Sequence, residues 1–144
     1  MQPILHLSIP VRDVDEAREF YVHALGCSPA RARAGFTDVW FYGMQLTLQN
    51  RPQEVTPEIA KGARHFGVTL GRPDFDAMIA RLDAHGVDWL MPVATDDAGL
   101  PTEQTKAKIA DPSGNVIELK TYHDVDAALE TSTHSYPEAF AHGN

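Results

Sequence analysis

The sequence predicts an α+β protein made of a strand–helix–three-strand unit used twice, and three observations carry that reading. Eight short segments read as strands, the clearest of them alternating apolar and polar residues with the period of two that a strand requires. Two longer segments instead repeat apolar residues at helical spacing. The segments also recur in the same order: "HLSIPVRDVDEAREFYVHALG" runs beside "HFGVTLGRPDFDAMIARLDAHG", with His6 and His65 59 residues apart and Gly26 and Gly86 60 apart. A nearly constant offset over a strand and a helix marks an internal repeat.

The first unit, about residues 4–50, starts with a strand at about 4–11. A helix follows at about 14–25, where Asp13 can cap, the first-turn acids suit the positive end of the dipole, and Gly26 ends the helix. Its apolar residues Val14, Ala17, Tyr21 and Leu25 form one stripe. Strands are expected near 28–34, 37–42 and 45–50. Residues 51–63, "RPQEVTPEIAKGA", hold two prolines and no sustained period, and read as a linker. The second unit, about 64–122, repeats the order: strand 65–70, helix 74–85 with Phe75, Met78, Ile79 and Leu82 on its stripe, then strands near 87–93, 105–110 and 115–122. The tail, 123–144, has one short helical stretch at best and is expected on the surface or on a partner subunit.

Composition excludes several functions. The 144 residues suit one domain or two small halves with a shared core, and 43% hydrophobic content is enough to fold without staples. A net charge of −8 argues against nucleic acid and anionic membrane as partners. The single cysteine, Cys27, permits no intrachain disulfide and no cysteine zinc cluster. With no membrane-length apolar run and no charged leader, the expectation is a soluble, cytoplasmic protein.

Parity then sorts the polar residues. Leu5, Leu7, Ile9 and Val11 share one face of the first strand, with His6 and Ser8 on the other. Phe66, Val68 and Leu70 oppose His65, Gly67 and Thr69; Leu46 and Leu48 oppose Gln45, Thr47 and Gln49; Ile117 and Leu119 oppose Glu118, Lys120 and Tyr122. Each strand has a greasy face for the helices and a face of hydrogen-bonding or ligating groups. If the sheet curves with its helices outside, the second face lines a trough. A lone histidine on such a face is usually a plain surface residue. Two at matching positions of a repeat, with a glutamate on the same face, make a set of two imidazoles and one carboxylate suited to Fe(II), Mn(II), Ni(II) or Zn(II) with positions left open. His23 and His85 sit at helix C-termini, where the dipole explains them, and His123, His134 and His142 lie in or near the tail. Trp40, Phe41, Tyr42 and Trp89 read as core or pocket wall, and no phosphate loop or Ser-His-Asp arrangement stands out.

The stretches "HLSIPVRDVDEAREFYVHALGC", "RHFGVTL" with "FDAMIARLDAHGV", and "ADPSGNVIELK" resemble the vicinal oxygen chelate superfamily of glyoxalase I, extradiol dioxygenases, fosfomycin-resistance thiol transferases and bleomycin-resistance proteins. The likeness covers about residues 4–122. It implies two βαβββ modules whose curved mixed sheets form a barrel-like cleft around one divalent metal, and His6, His65 and Glu118 match three ligand positions. "GLPTEQTKAKIADPSGNVIELKTYHD" resembles short extradiol-type dioxygenases more narrowly. Where glyoxalase I commonly carries a fourth-ligand glutamate, this chain offers Gln45 or Gln49, a neutral amide and a poor base. Ser8, Lys108 and Lys120 are further substrate-binding candidates, and Glu118 is the one carboxylate placed to move a proton. The resulting expectation is an Fe(II) extradiol-type ring-cleaving dioxygenase of a small substrate, acting as a homodimer. A glyoxalase I-like isomerase and a metal-free protein that binds an antibiotic or other small molecule are the alternatives.

Overall fold

A computed structural model describes residues 1–57 and 62–130 of the chain. The elements follow the predicted order: β1 (His6–Val11), α1 (Val14–Glu19), β2 (Ser28–Arg33), β3 (Phe36–Phe41) and β4 (Met44–Asn50), then β5 (Phe66–Thr69), α2 (Arg72–Ala84), β6 (Trp89–Asp96), β7 (Gln104–Ala110) and β8 (Val116–Tyr122). A short α3 (Val125–Leu129), capped by Asp124, begins the tail. The remainder of the tail, with His134 and His142, and part of the linker lie outside the described residues.

The strands form two four-stranded sheets, ordered β1-β4-β3-β2 and β5-β8-β7-β6, and they do not close into a barrel. In each sheet the first strand pairs in parallel with the fourth, and the other pairs are antiparallel. The internal repeat is therefore a repeat of topology. Pro10, which has no N–H to give a ladder, sits in the edge strand β1, where that loss is tolerated.

The first helix begins as predicted, with Asp13 accepting from the Glu16 N–H at 2.8 Å. It then widens into a π turn over Phe20–Ala24, closed by Leu25 N–H to the Phe20 carbonyl at 3.2 Å. Gly26, at φ 74°, ends it in the left-handed region where a side chain would be strained. The greasy strand faces and the helices share one core: Val11, Tyr21, Val39, Phe41, Leu46 and Leu48 from the first module meet Phe75, Leu82, Ile109, Ile117 and Leu119 from the second, all nearly or wholly buried.

The "DPSGN" turn locks the two modules. Asp111 Oδ1 accepts from the N–H groups of Ser113 and Asn115 at 2.8 and 2.9 Å, which shapes the turn. Its Oδ2 accepts from the Tyr21 hydroxyl of the other module at 2.8 Å. Ser113 Oγ accepts from Arg12 N–H, and Asn115 Nδ2 donates to the Pro10 carbonyl, both at 2.9 Å. Burial lifts the Asp111 carboxyl above its usual range even though four donors favour its charged form. No helix among the described residues is long and apolar enough to cross a membrane.

Candidate metal centre

Sheet register arranges the polar residues in rows. Across the first sheet, Trp40, Gln45 and His6 are successive neighbours on β3, β4 and β1, and Asp38, Thr47 and Ser8 form the next row. Across the second sheet, Gly67, Glu118 and Lys108 are neighbours on β5, β8 and β7, followed by Thr69, Lys120 and Lys106. Each row lies on the face opposite the core, as parity requires.

His65 and Glu118 meet. His65 Nε2 lies 3.1 Å from Glu118 Oε2, and Glu118 is only 6% exposed. The other ring nitrogen, Nδ1, is 2.8 Å from the Ala63 carbonyl. A carbonyl only accepts, so Nδ1 carries a hydrogen, and Nε2 is the nitrogen that faces the carboxylate. The two facing atoms need a proton or a cation between them. Cis ligands at metal bonds of about 2.1 Å stand about 3.0 Å apart at a right angle and about 3.4 Å apart in a tetrahedron. The observed gap falls in that range, and the carbonyl on the far nitrogen is the usual second contact of a ligating histidine. This donor pair fits a divalent ion.

His6 does not join them within the chain. It is exposed at the first position of the edge strand β1. A cleft of about 970 Å³ runs between β1 and the starts of β5 and β8, and it brings Ser8 and Pro10, rather than His6, to the side of His65 and Asn115. Among the described residues, no three His, Cys, Asp or Glu side chains converge closely enough to hold a metal ion.

The register separates the two glutamines. Gln45 is the direct neighbour of His6, whereas Gln49 lies farther along the strand with its Nε2 donating to Ser8 Oγ at 2.5 Å. Gln45 Nε2 donates to Asp38 Oδ2 at 3.1 Å. The carboxylate can only accept, so this contact fixes the amide with its nitrogen toward Asp38.

Asp38 is the residue that strand parity alone did not single out. It is 2% exposed and accepts from Arg31 Nε at 2.9 Å and Thr47 Oγ1 at 2.6 Å besides Gln45. Burial would raise its carboxyl, but the hydrogen bonds from Thr47, Gln45 and Arg31 and the guanidinium charge outweigh it and hold it below the usual range. A two-residue hairpin signalled its place: Tyr42 and Gly43, at φ 47° and 82°, turn β3 into β4 and thereby set Asp38 opposite Thr47. Lys120 Nζ and Lys108 Nζ approach Glu118 Oε2 and Oε1 at 3.3 and 3.9 Å. Cys27 supplies no thiolate here, because burial pushes its thiol up to about 12.

The comparisons agree with this architecture. A glyoxalase/bleomycin resistance protein/dioxygenase from Alicyclobacillus acidocaldarius is 32% identical, with a TM-score of 0.79 over 87% of this chain and 95% of that one. A genomically encoded fosfomycin resistance protein from Listeria monocytogenes shares the fold at 11% identity, with a TM-score of 0.70 over 89% and 98%. A lactoylglutathione lyase from Agrobacterium tumefaciens does so at 19% identity, with a TM-score of 0.59 over 83% and 92%. The family model of the Glyoxalase/Bleomycin resistance protein/Dioxygenase superfamily matches residues 3–119, and with the doubled βαβββ topology it shows that the chain belongs to that superfamily.

Proposed function

We propose that the chain is a metal-dependent enzyme that chelates two adjacent oxygens of a small substrate, an extradiol-type ring-cleaving dioxygenase using Fe(II), with His6, His65 and Glu118 as its protein ligands. The observation that carries this reading is the facing pair His65 Nε2 and Glu118 Oε2, 3.1 Å apart with the outer ring nitrogen tied to Ala63. Because His6 stands apart from that pair in its own chain, the reading includes a homodimer in which the first sheet of one copy faces the second sheet of the other. The repeat supports this, since each sheet presents half of a ligand set on its polar face.

An iron(II) ion held there would supply Lewis acidity and redox capacity to a chelated diol. The chain's own residues do the rest. Ala63 holds the His65 ring in the ligating tautomer. Asp38 holds the Gln45 amide, and a neutral group, rather than a second carboxylate, stands beside His6. A site with one carboxylate keeps more positive charge for a diolate than a two-carboxylate site does. Trp40, 39% exposed and next to Gln45 in its row, offers an aromatic wall to a ring substrate. The isomerase alternative would have to move its proton through Glu118 alone, because Gln45 is neutral and Asp38 is engaged by three donors.

The test is anaerobic reconstitution with Fe(II), Ni(II) and Zn(II) separately, followed by oxygen uptake with catecholic diols and isomerisation of a methylglyoxal–glutathione hemithioacetal. Oxygen uptake confined to the Fe(II) form is expected. Isomerase turnover with Ni(II) or Zn(II) and no oxygen uptake would overturn the dioxygenase reading, and failure to retain any metal would favour a metal-free binding protein.

A further inference from the structure

We propose that Lys108 and Lys120 form a receptor for a carboxylate carried by the substrate, so that the diol this protein prefers bears a carboxylate group; the inference rests on the metal-site reading above. Both ammonium groups face the carboxylate of Glu118, Lys120 Nζ 3.3 Å from Oε2 and Lys108 Nζ 3.9 Å from Oε1. They thus approach one carboxylate from the sides of its two oxygens.

Sheet register shows that this charge arrangement is not neutral to the fold. Lys106 stands directly opposite Lys120, and like charges at opposed sheet positions are destabilising. Lys106 finds its own anion in Asp96, at 2.5 Å. Lys108 and Lys120 depend on Glu118 and have side chains only 32% and 31% exposed. Water thus solvates them incompletely.

Glu118 brings a single negative charge. With a divalent cation at Oε2 it can keep Lys108 at Oε1, but one carboxylate does not balance two ammonium groups and a doubly charged ion in a half-buried site. Partly buried charge that is not balanced is costly, so the site favours a second anion. A chelating diolate neutralises the metal, and a carboxylate elsewhere on the same molecule neutralises the lysines. Such a group gains charge-assisted hydrogen bonds that a neutral substituent does not.

The experiment compares 3,4-dihydroxybenzoate with its methyl ester, which keeps the ring and the diol and removes the charge. Calorimetry on the Zn(II)-loaded protein, with metal content measured on the same sample, reads affinity without turnover. The acid is expected to bind on the order of tenfold tighter than the ester or better, and in Lys108→Gln/Lys120→Gln the two should bind within about twofold of each other. A second arm needs no metal: Glu118→Gln frees both lysines, so the metal-free variant should bind benzoate, and adding the two lysine substitutions should abolish that binding. Equal binding of acid and ester by the wild type, or a preference that survives both substitutions, would overturn the receptor. Metal retained without the preference sinks the receptor alone; benzoate binding to Glu118→Gln with no metal ever retained by the wild type sinks the metal reading alone.

Discussion

Substituting Gly67 by alanine should damage the fold and the site together. Gly67 lies on β5 directly beside Glu118 of β8, and a Cβ built there would sit 1.8 Å from the Glu118 carbonyl oxygen and 2.7 Å from its carbonyl carbon. These are backbone atoms, so no side-chain rotation relieves the clash. Ordinary contact requires roughly 3.4 Å, and β5 would have to move away by about 1.5 Å. Overpacking of this kind costs about 1–3 kcal/mol, and each weakened ladder hydrogen bond of the four-residue β5 adds about 0.5–1.5 kcal/mol. A total near 3 kcal/mol lowers Tm by roughly 10 °C in a chain of this size. His65 directly precedes β5, so its ring would also leave the position 3.1 Å from Glu118. Thermal unfolding and metal analysis measure the two effects on one sample. Gly71→Ala is the control: Gly71 has φ −62° and open space where its Cβ would go, and Tm should move by no more than about 2 °C. Wild-type Tm and metal content in Gly67→Ala would refute the reasoning.

Tyr21→Phe removes the buried hydroxyl that donates to Asp111 across the module boundary, and should cost about 1.5–3 kcal/mol in denaturant unfolding, because the acceptor is a buried carboxylate. A cost below about 0.5 kcal/mol would show that this hydrogen bond does little to hold the modules together. Asp38 is held below the ordinary aspartate value of about 3.9, so its contribution to stability is full above that pH and is lost as pH falls through the lower folded value. Asp38→Asn should therefore flatten the fall of Tm between about pH 5 and pH 2, and an unchanged slope would contradict the three-donor description. The paired sheets predict a dimer by light scattering at micromolar concentration, and a monomer there would remove the second copy that the ligand set requires.

The strand faces were legible because apolar residues alternate clearly: Ile9 and Val11, Leu46 and Leu48, and Ile117 and Leu119 are all buried on the sides that parity assigned. His65 and Glu118 came together for the same reason, reinforced by the turn that feeds β8. Asp38 was harder to see, since aspartate is depleted in strands and its value lies in cross-strand neighbours that only the register supplies. The π turn at Phe20–Ala24 has no residue that marks it, so the apolar stripe predicts continuous helix there. The choice between Gln45 and Gln49 also waited on register. His6 is a different case: a sequence places it on the right face of the right strand, but the relation of that face to a second sheet, in the same chain or another, is not written in any local pattern.

Metal content in mixtures of two ligand variants tests the central claim most directly. Wild-type protein prepared anaerobically should hold about one divalent ion per chain, and His6→Ala and His65→Ala should each hold essentially none. If His6 of one copy meets His65 and Glu118 of the other, mixing the two variants at equal amounts through a reversible unfolding step should restore about a quarter of the wild-type metal, because half of the randomly paired dimers then contain one intact site. Full metal retention by His65→Ala would contradict the ligand assignment, and metal-binding wild type with no recovery in the mixture would contradict a site shared between copies.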